Sequence, residues 1–291
     1  MTDIMREMAV HWRRLARVVL SIMLYVVTAG ACESGANPRT EAAGVSATPE
    51  IPQDVARRRA ELAEELKSVT LSNCEPVRVG SANDGGYAMC GNLLAGITTA
   101  YSYGIGGNDD WGCQMSTTHK IPVHQYDCFT PESAPCARGH MRLNVECVGP
   151  KTESKDGRAF DTLARQIARN GDTGKTMVVK MDIEGAEWQS ILAAPDSLFD
   201  SIVQMPMELH GVDAPEVLEG LRKLKRHFYL VSVHFNNFKC SDEYRPFPNF
   251  AYQVLLVNKK VGVPGPPKPG APSIESALAP DNKNAPECKI L

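Results

Sequence analysis

The sequence lacks an excess of basic residues, zinc-type cysteine spacing and a long apolar run. Its 31 lysines and arginines are outnumbered by 34 aspartates and glutamates, and the net charge of −3 argues against nucleic acid as a partner. None of its nine cysteines stands at the two-residue spacing typical of zinc ribbons and fingers. The apolar run from Val18 to Val27 is too short for a comfortable membrane span, since a span takes about 20 apolar residues.

This apolar run nevertheless has the flanking residues of an export signal. Arg13, Arg14 and Arg17 precede it and small residues follow it, which is the order found in secretory signals. The tetrapeptide at positions 29–32, Ala-Gly-Ala-Cys, resembles a bacterial lipoprotein box, in which the cysteine becomes the lipidated first residue. We expect residues 1–32 to direct export to the cell envelope and to anchor the protein in the membrane. Plain secretion, a signal anchor and a cytoplasmic protein are the alternatives.

Eight cysteines remain when Cys32 is set aside. An even number of cysteines in an exported chain favours disulfides. Buried free thiols are the alternative, since cysteine is often buried. The spacing of the eight residues selects no particular pairing.

Composition divides the rest of the chain into three parts. Residues 33–52 are rich in Ala, Ser, Thr, Pro and Gly, as flexible linkers are. Residues 53–259 form the predicted domain, which begins with an amphipathic lead helix over 53–69. Residues 260–291 are rich in Pro and Gly and predict a mobile tail, unless a disulfide through Cys288 ties it down.

Short β-prone runs alternate with helical patterns through the predicted domain. The predicted strands are 98–103, 121–126, 143–148, 177–181, 202–209, 229–233 and 252–257. Helical periodicity is present over 160–168, from Trp188 onward and over 214–224. This alternation predicts an α/β fold with a mostly parallel sheet. No helical pattern separates the last two strands, so the seventh strand should run antiparallel to the others.

A glycine-rich stretch follows the first of these strands. Gly104, Gly106 and the polar residues from Asn108 onward have the layout of a nucleotide loop, in which glycines allow close approach and a helix start offers free N–H groups. The stretch lacks the full dinucleotide fingerprint, and a structural turn is the alternative. Asp127 ends the next strand at the spacing where a carboxylate can bind both hydroxyls of a ribose, and a capping or turn aspartate is the alternative.

The most informative stretch runs from residue 178 to residue 188. An apolar run ends there in three carboxylates, Asp182, Glu184 and Glu187, around one glycine. Open α/β sheets build ligand sites in this way, with a strand that ends in acidic residues and turns into a helix. The alternative is an acid-rich helix start, which the helix macrodipole favours.

The order of the elements and several motifs together resemble one enzyme family. Class I S-adenosylmethionine-dependent methyltransferases have six strands alternating with helices, then a seventh without a helix. The octapeptide at 180–187, Lys-Met-Asp-Ile-Glu-Gly-Ala-Glu, closely resembles the signature of FkbM-type methyltransferases. Motifs at 84–87 (Asp-Gly-Gly-Tyr), 101–106 (Tyr-Ser-Tyr-Gly-Ile-Gly), 208–210 (Glu-Leu-His) and 234–236 (His-Phe-Asn) look like a related branch of methyltransferase-like proteins. The resemblance covers residues 70–258 and implies a seven-stranded Rossmann-like sheet.

The resemblance also implies S-adenosylmethionine as the cofactor and a small-molecule hydroxyl, of a sugar or a lipid, as the methyl acceptor. The cofactor would contact Tyr103, Gly104, Gly106, Asn108, Asp127 and Asp182. Tyr103 stands where class I enzymes often carry an acidic residue, so this sequence departs from the family pattern at the first loop.

Four polar residues are predicted to act on the acceptor. We hypothesise that Asp182 and Glu184 orient it and that His210 or His234 takes its proton, because imidazole titrates near neutral pH. Hydrogen-bonded structural roles are the alternative for each histidine. No metal is assigned, although Asp182 and Glu208 with a histidine would suit several divalent metals.

Two further hypotheses follow from a conflict of location. S-adenosylmethionine is made in the cytoplasm, whereas the N-terminus and the cysteines indicate export. A non-catalytic exported binding protein with the same fold is therefore the second hypothesis, because a fold does not imply an activity. A metal-assisted hydrolase that uses the same crevice is the third.

Overall fold

The computed structural model describes residues 51–267 and 269–288, and the predicted export segment lies outside this range. The helices are α1 (Gln53–Glu65), α2 (Asp110–Thr117), α3 (Leu163–Arg169), α4 (Glu187–Ala193), α5 (Asp196–Phe199) and α6 (Pro215–His227). The strands are β1 (Pro76–Gly80), β2 (Gly86–Cys90), β3 (Thr99–Tyr103), β4 (Val123–Tyr126), β5 (Met141–Asn144), β6 (Cys147–Val148), β7 (Glu153–Lys155), β8 (Arg158–Asp161), β9 (Met177–Met181), β10 (Ile202–His210), β11 (Phe228–Phe235) and β12 (Ala251–Asn258). Within the described ranges, no helix combines the length and apolarity needed to cross a membrane.

Seven of the strands form one sheet in the order β5-β4-β3-β9-β10-β12-β11. The pairs β3–β4, β4–β5, β3–β9 and β9–β10 are parallel, and β12 runs antiparallel to both of its neighbours. No α-helix joins β11 to β12, and an antiparallel pair needs no helical crossover. The predicted α/β fold, with a mostly parallel Rossmann-like sheet and an antiparallel last strand, is confirmed.

The strand order reverses between β3 and β9. From β3 the chain moves outward through β4 to β5, and it later returns to place β9 on the other side of β3. Open α/β sheets bind ligands in the crevice at the carboxyl ends of the strands where this reversal occurs. The glycine-rich stretch after Tyr103 and the acidic stretch after Met181 both lie at this position.

Both faces of the sheet are covered, and its central strands are therefore buried along their length. All five residues of β3 and all five of β9 are buried, as is typical of strands with helices on both sides. Tyr101 and Val179 belong to the main core, whereas Ala100 and Val178 belong to a second core with Trp111 of α2. Alternation along the strands sends successive side chains to these two cores.

The region between residues 143 and 148 differs from the prediction of a single strand. β5 ends at Asn144, and β6 belongs to a separate three-stranded sheet in the order β6-β8-β7. A disulfide joins Cys147 of β6 to Cys128 in the loop after β4. This covalent tie to a neighbouring loop is not visible in the local sequence pattern.

Two predicted helices have different bounds in the structure. The helix predicted over 160–168 begins at Leu163, since Phe160 lies in β8 and the Thr162 hydroxyl accepts a hydrogen bond from the Arg165 N–H as an N-cap. The lead helix predicted over 53–69 ends at Glu65. In both cases, the helical spacing of apolar residues also includes residues outside the helix, and these residues pack in another conformation.

All eight cysteines of the described residues form disulfides, as their even number predicts. The pairs are Cys74–Cys90, Cys113–Cys136, Cys128–Cys147 and Cys240–Cys288. Each bond restricts the unfolded chain and so stabilises the folded one. Four disulfides are compatible with an exported protein.

The C-terminal tail is packed, rather than mobile, over its described residues. Cys288 is bonded to Cys240, and the Asn237 side chain donates hydrogen bonds of 3.0 Å to the carbonyls of Asn282 and Ala285. The prediction of mobility rested on proline and glycine content. The disulfide and the side-chain amide supply contacts that composition does not reveal.

Replacing Gly220 of α6 with Ala should destabilise the fold, because a Cβ there would lie 2.6 Å from the ring of Trp188 in α4. Overpacking of this kind costs about 1–3 kcal/mol in the free energy of unfolding, which chemical denaturation of the oxidised protein measures. Glu219→Ala, at an exposed position on the same helix, is the matched control and should change this free energy by less than about 0.5 kcal/mol. Equal effects of the two substitutions would contradict the close packing.

Candidate functional site

Two cavities open at the carboxyl edge of the sheet and share three acidic residues. The larger has a volume of about 570 Å³ and lies against the glycine-rich stretch and the loops after β4 and β5; we name it the loop cavity. The smaller has a volume of about 390 Å³ and lies against the ends of β10 and β11 and the loop before β12; we name it the strand cavity. Asp84, Asp182 and Glu184 line both cavities.

A close backbone contact joins the glycine-rich stretch to the acidic stretch. Gly104 has a φ of +71°, and a Cβ at this position would lie 1.6 Å from the carbonyl oxygen of Asp182. Only glycine satisfies both the backbone conformation and the lack of space. The Asp182 N–H also donates to the Tyr103 carbonyl at 3.1 Å, so the two stretches form one unit.

Asp127 holds the glycine-rich stretch in place. Its carboxylate oxygens accept four backbone N–H bonds of 2.8 to 3.0 Å, from Ile105, Gly106, Phe129 and Thr130. Burial alone would raise the pKa of Asp127, but these bonds outweigh burial and hold the pKa below its usual range. The contact with ribose hydroxyls stays a prediction, and the carboxylate would have to share it with these N–H groups.

Asp182 connects two motifs of the sequence at the boundary of the cavities. The Tyr87 hydroxyl donates to its Oδ2 at 3.1 Å, and the Lys180 Nζ lies 3.7 Å from the same oxygen. Lys180 is buried and also donates to the carbonyls of Tyr103 and Gly104. One ammonium group thus contacts both the glycine-rich stretch and the carboxylate that faces it.

Glu187 is fully buried and fixes the turn that follows β9. Its Oε1 accepts hydrogen bonds from the N–H groups of Ile183 at 2.9 Å and Gly185 at 3.3 Å, and it lies 3.1 Å from His210 Nδ1. Glu184 has a φ of +55° inside this turn, a conformation that is costly for a residue with a Cβ. The Glu187 carboxylate compensates for that cost by bonding the backbone on either side.

His210 is surrounded by carboxylates. Its Nε2 lies 3.6 Å from Glu184 and 3.9 Å from Glu208, while Glu187 occupies its Nδ1. Burial opposes the charged imidazole, but the hydrogen bond to Glu187 and the nearby negative charges raise the pKa of His210 to about 9. Burial and the charge of Asp182 raise the pKa of Glu208 to about 8. The carboxylates around His210 therefore favour its charged form.

A second acidic group lies beside the strand cavity, where the tail meets the sheet. Asp84, Glu208 and Asp281 each place one oxygen within 4.8 Å of the others. His234 faces this tail segment, with its Nε2 at 4.0 Å from Asp281 and 3.7 Å from Glu287. Burial lowers the pKa of His234, in contrast to His210.

The structure brings most of the predicted site residues together. The predicted cofactor residues that line the loop cavity are Gly104, Gly106, Asn108, Asp127 and Asp182. The predicted catalytic residues that line the strand cavity are Asp182, Glu184 and His210. Tyr103 is the exception among the first set, because its side chain is buried in the main core and stacks on Tyr126 with 5.1 Å between ring centroids. His234 is the exception among the second, because it faces the tail.

The sequence alone does not identify Tyr87, Lys180 and Asp281 as residues of the site. Tyr87 and Lys180 lie inside the motifs that carry the family resemblance, so those motifs contained the signal. Nothing in the tail sequence distinguishes Asp281 from a solvent-exposed acid. Asp182 and Glu208, which with a histidine would suit a divalent metal although none is assigned, belong to two different acidic groups, one with Glu184 and His210 and one with Asp84 and Asp281.

Comparison with known proteins adds little to this geometry. No protein-family profile matches the chain, and no curated protein matches its sequence. Among solved structures, the chain is similar to one described as a riboflavin biosynthesis protein from Shewanella sp. PV-4, with 15% identity and a TM-score of 0.21. That match covers 58% of this chain and 77% of the other. A likeness at this level carries no inference about fold or function.

Replacing Glu187 with Gln should lower the pKa of His210, because the hydrogen bond and the charge of Glu187 raise it. We expect the titration midpoint to fall from about 9 toward the ordinary value near 6.5, as measured by NMR of the imidazole protons. Glu64→Gln, at an exposed position on α1, is the matched control and should leave the midpoint unchanged. A midpoint that stays near 9 in the Glu187 variant would show that Glu187 is not the cause.

Proposed function

We propose that this protein transfers a methyl group from S-adenosylmethionine to a hydroxyl of a small molecule, either a sugar or a lipid. The observation that carries the proposal is the pair of cavities that meet at Asp182. A transfer between two molecules needs adjoining sites that hold the reacting atoms together. The motifs at 84–87 and 180–187, which resemble those of methyltransferases, both contribute to this boundary through Tyr87 and Asp182.

The sheet order supports the same proposal. Strands β5, β4, β3, β9, β10 and β11 follow the doubly wound order of dinucleotide-binding folds, and β12 is inserted antiparallel between the last two. A seventh strand without a helix of its own is what the resemblance to class I methyltransferases implies.

The loop cavity suits a nucleoside that carries a positive charge. Its volume of about 570 Å³ lies within the range of small-molecule sites. Tyr126, Phe129 and Phe160 line it with aromatic rings on which a purine can pack. Asp182 and Glu184 lie at its boundary with the strand cavity, where their charges attract a sulfonium. The cofactor, when bound, supplies an activated methyl group at that boundary.

The strand cavity suits an acceptor with several hydroxyl groups. The carboxylates of Asp182, Glu184 and Glu208 can accept hydrogen bonds from such hydroxyls. Phe238 and Phe250 line the same cavity and are 58% and 43% exposed. Exposed aromatic side chains beside carboxylates match a sugar ring, which has apolar C–H faces and a polar edge.

We assign the role of proton acceptor to His210. Glu187 accepts the Nδ1–H, which fixes the tautomer and leaves Nε2 on the side of Glu184 and Glu208. Nε2 takes the hydroxyl proton as the acceptor oxygen is methylated, and only the neutral imidazole can do so. A sulfonium in the loop cavity lowers the pKa of His210 by charge repulsion, which favours that neutral form. His234 is set aside as the base because it faces the tail.

A non-catalytic exported binding protein is the second candidate. The four disulfides favour it, because disulfides persist in oxidising compartments and S-adenosylmethionine is made in the cytoplasm. Binding without turnover is the outcome that this candidate requires.

S-adenosylmethionine should bind the oxidised full-length protein with a stoichiometry of one. Asp182→Asn should weaken that binding at least about tenfold, which corresponds to about 1.4 kcal/mol, because the substitution removes a charge at the cavity boundary. Isothermal titration calorimetry measures the stoichiometry and the affinity. Asp156→Asn, at an exposed turn, is the matched control and should leave the affinity unchanged. Absence of binding to the wild-type protein would sink the methyltransferase proposal.

The methyl-transfer rate should depend on pH through His210. Because its pKa is about 9 in the free protein, kcat/KM should rise with pH and level off above that value. His210→Ala should abolish turnover and spare cofactor binding, whereas His140→Ala, at an exposed position, should change neither. Labelled S-adenosylmethionine with a panel of sugar and lipid hydroxyls provides the assay. A pH-independent rate, or full activity of the His210 variant, would remove the base assignment.

A further inference from the structure

Three carboxylates from distant parts of the chain meet beside the strand cavity. Asp84 precedes β2, Glu208 lies in β10 and Asp281 lies in the tail, and one oxygen of each is within 4.8 Å of the other two. Glu208 is 6% exposed and Asp281 is 3% exposed. The Asp84 N–H donates to the Asp281 carbonyl at 3.2 Å, so the backbone already aligns the tail with the turn before β2.

Asp281 presents a buried oxygen with no partner. Its Oδ1 accepts a hydrogen bond of 2.9 Å from the Gln253 side chain, whereas its Oδ2 has no hydrogen-bond partner among the described residues. A buried polar atom of this kind destabilises a fold unless a ligand or an ion satisfies it. The unpartnered oxygen, 4.0 Å from the equally unpartnered Nε2 of His234, is therefore open to a ligand or an ion.

Nearby positive charge reaches Glu208, through His210 at 3.9 Å, but does not bond Asp281. Arg78 acts on Asp281 through its charge, but its hydrogen bonds go to three backbone carbonyl groups. His234 lies 4.0 Å away, and burial lowers its pKa, which disfavours its cationic form. Asp281 therefore has no cationic hydrogen-bond partner among the described residues, and the three carboxylates repel one another. Two chemistries can relieve this repulsion, namely a shared proton or a bound cation.

We propose that Asp84, Glu208 and Asp281 bind a calcium ion that fastens the C-terminal tail to the edge of the sheet. Carboxylate oxygens are the ligands that hard cations prefer. Oxygens separated by up to 4.8 Å can share one ion of this size, because calcium–oxygen distances are about 2.3–2.6 Å. Magnesium, with distances of about 2.0–2.1 Å, demands near-ideal octahedral geometry, which three carboxylates from separate segments supply less readily than the flexible geometry that calcium accepts. The proposal does not depend on methyltransferase activity.

The ion would act together with the disulfide between Cys240 and Cys288. The disulfide holds the end of the tail, and the ion would hold its middle at Asp281. Asp84 also lines both cavities, so the ion would fix one part of their shared wall.

Calorimetry and thermal unfolding of the oxidised, chelator-treated full-length protein test this proposal. We expect one calcium ion per chain, and a rise in Tm of about 5 °C or more when calcium is about 100-fold above its Kd. Magnesium should produce a smaller rise at the same concentration. If neither cation binds or raises Tm, the group is one that shares a proton and the proposal is wrong.

Matched variants locate the ion. Asp281→Asn and Asp84→Asn should each abolish the calcium-dependent rise, and Asp84 is exposed, so its replacement leaves folding intact. Without calcium, Asp281→Asn should have a Tm equal to or above that of the wild type, because repulsion is relieved. Glu287→Gln, which changes another tail carboxylate outside the group, should keep the full rise. A rise that survives Asp281→Asn and is lost in Asp182→Asn would place the ion with Glu184 and His210 and overturn the proposal.

Discussion

The buried carboxylate of Glu187 is the interaction on which the rest of the site depends. It bonds the backbone on both sides of Glu184 and it holds the imidazole of His210. An ionised group that is fully buried is tolerated only when it is paired and hydrogen-bonded. The pairing therefore works in both directions, since Glu187 raises the pKa of His210 and the resulting cation balances the charge of Glu187. This contact fixes the turn after β9 relative to the end of β10, together with the hydrogen bond of 2.7 Å that the Trp188 indole N–H donates to the His210 carbonyl.

The fold was predictable from sequence wherever strands are buried on both faces. The apolar runs of β3, β9, β10 and β12 mark them within a residue or two, because helices or the tail cover both sides of the sheet. The region around β6, β7 and β8 was not predictable, since its strands are short and have no long apolar run, and Cys147 of β6 is bonded to a distant loop. Cysteine number indicates disulfides, but pairing depends on the folded chain.

The sequence predicts which residues of the site lie close together. It does not predict the direction of every side chain. The strand-end rule places Gly104, Asp182 and His210 at one edge, and they do line the cavities. Tyr103 obeys the same rule, yet strand alternation turns its side chain into the core beside Tyr126. The register that pairs Glu208 and His234 with Gln253 puts them near one another.

His234 does not line the strand cavity, because the tail covers it. The position of the tail depends in turn on long-range contacts. The Cys240–Cys288 bond and the Asn237 side chain bring Asp281 and Glu287 against the sheet, although they are far from His234 in sequence. No local pattern encodes an encounter of this kind. A sequence motif therefore predicts where a strand ends. Which residues at that strand end are open to a ligand depends on the segment that covers them.

The shared wall of the two cavities carries more negative than positive charge, and this imbalance links the two proposals. Asp84, Asp182 and Glu184 form that wall, and Glu208 and Asp281 lie next to it in the second acidic group. Among the described residues, the cations in contact with any of these five carboxylates are Lys180 and His210. Two of the acids have pKa values raised to about 7 and about 8, which is the response of buried carboxylates that lack counter-charge. A sulfonium at Asp182 and a calcium ion at Asp281 would each supply positive charge where it is missing. Since the two positions belong to different acidic groups, either ligand can bind without the other. With both bound, the negative charge that raises the pKa of His210 would be reduced, and its imidazole would be closer to the neutral form that accepts a proton.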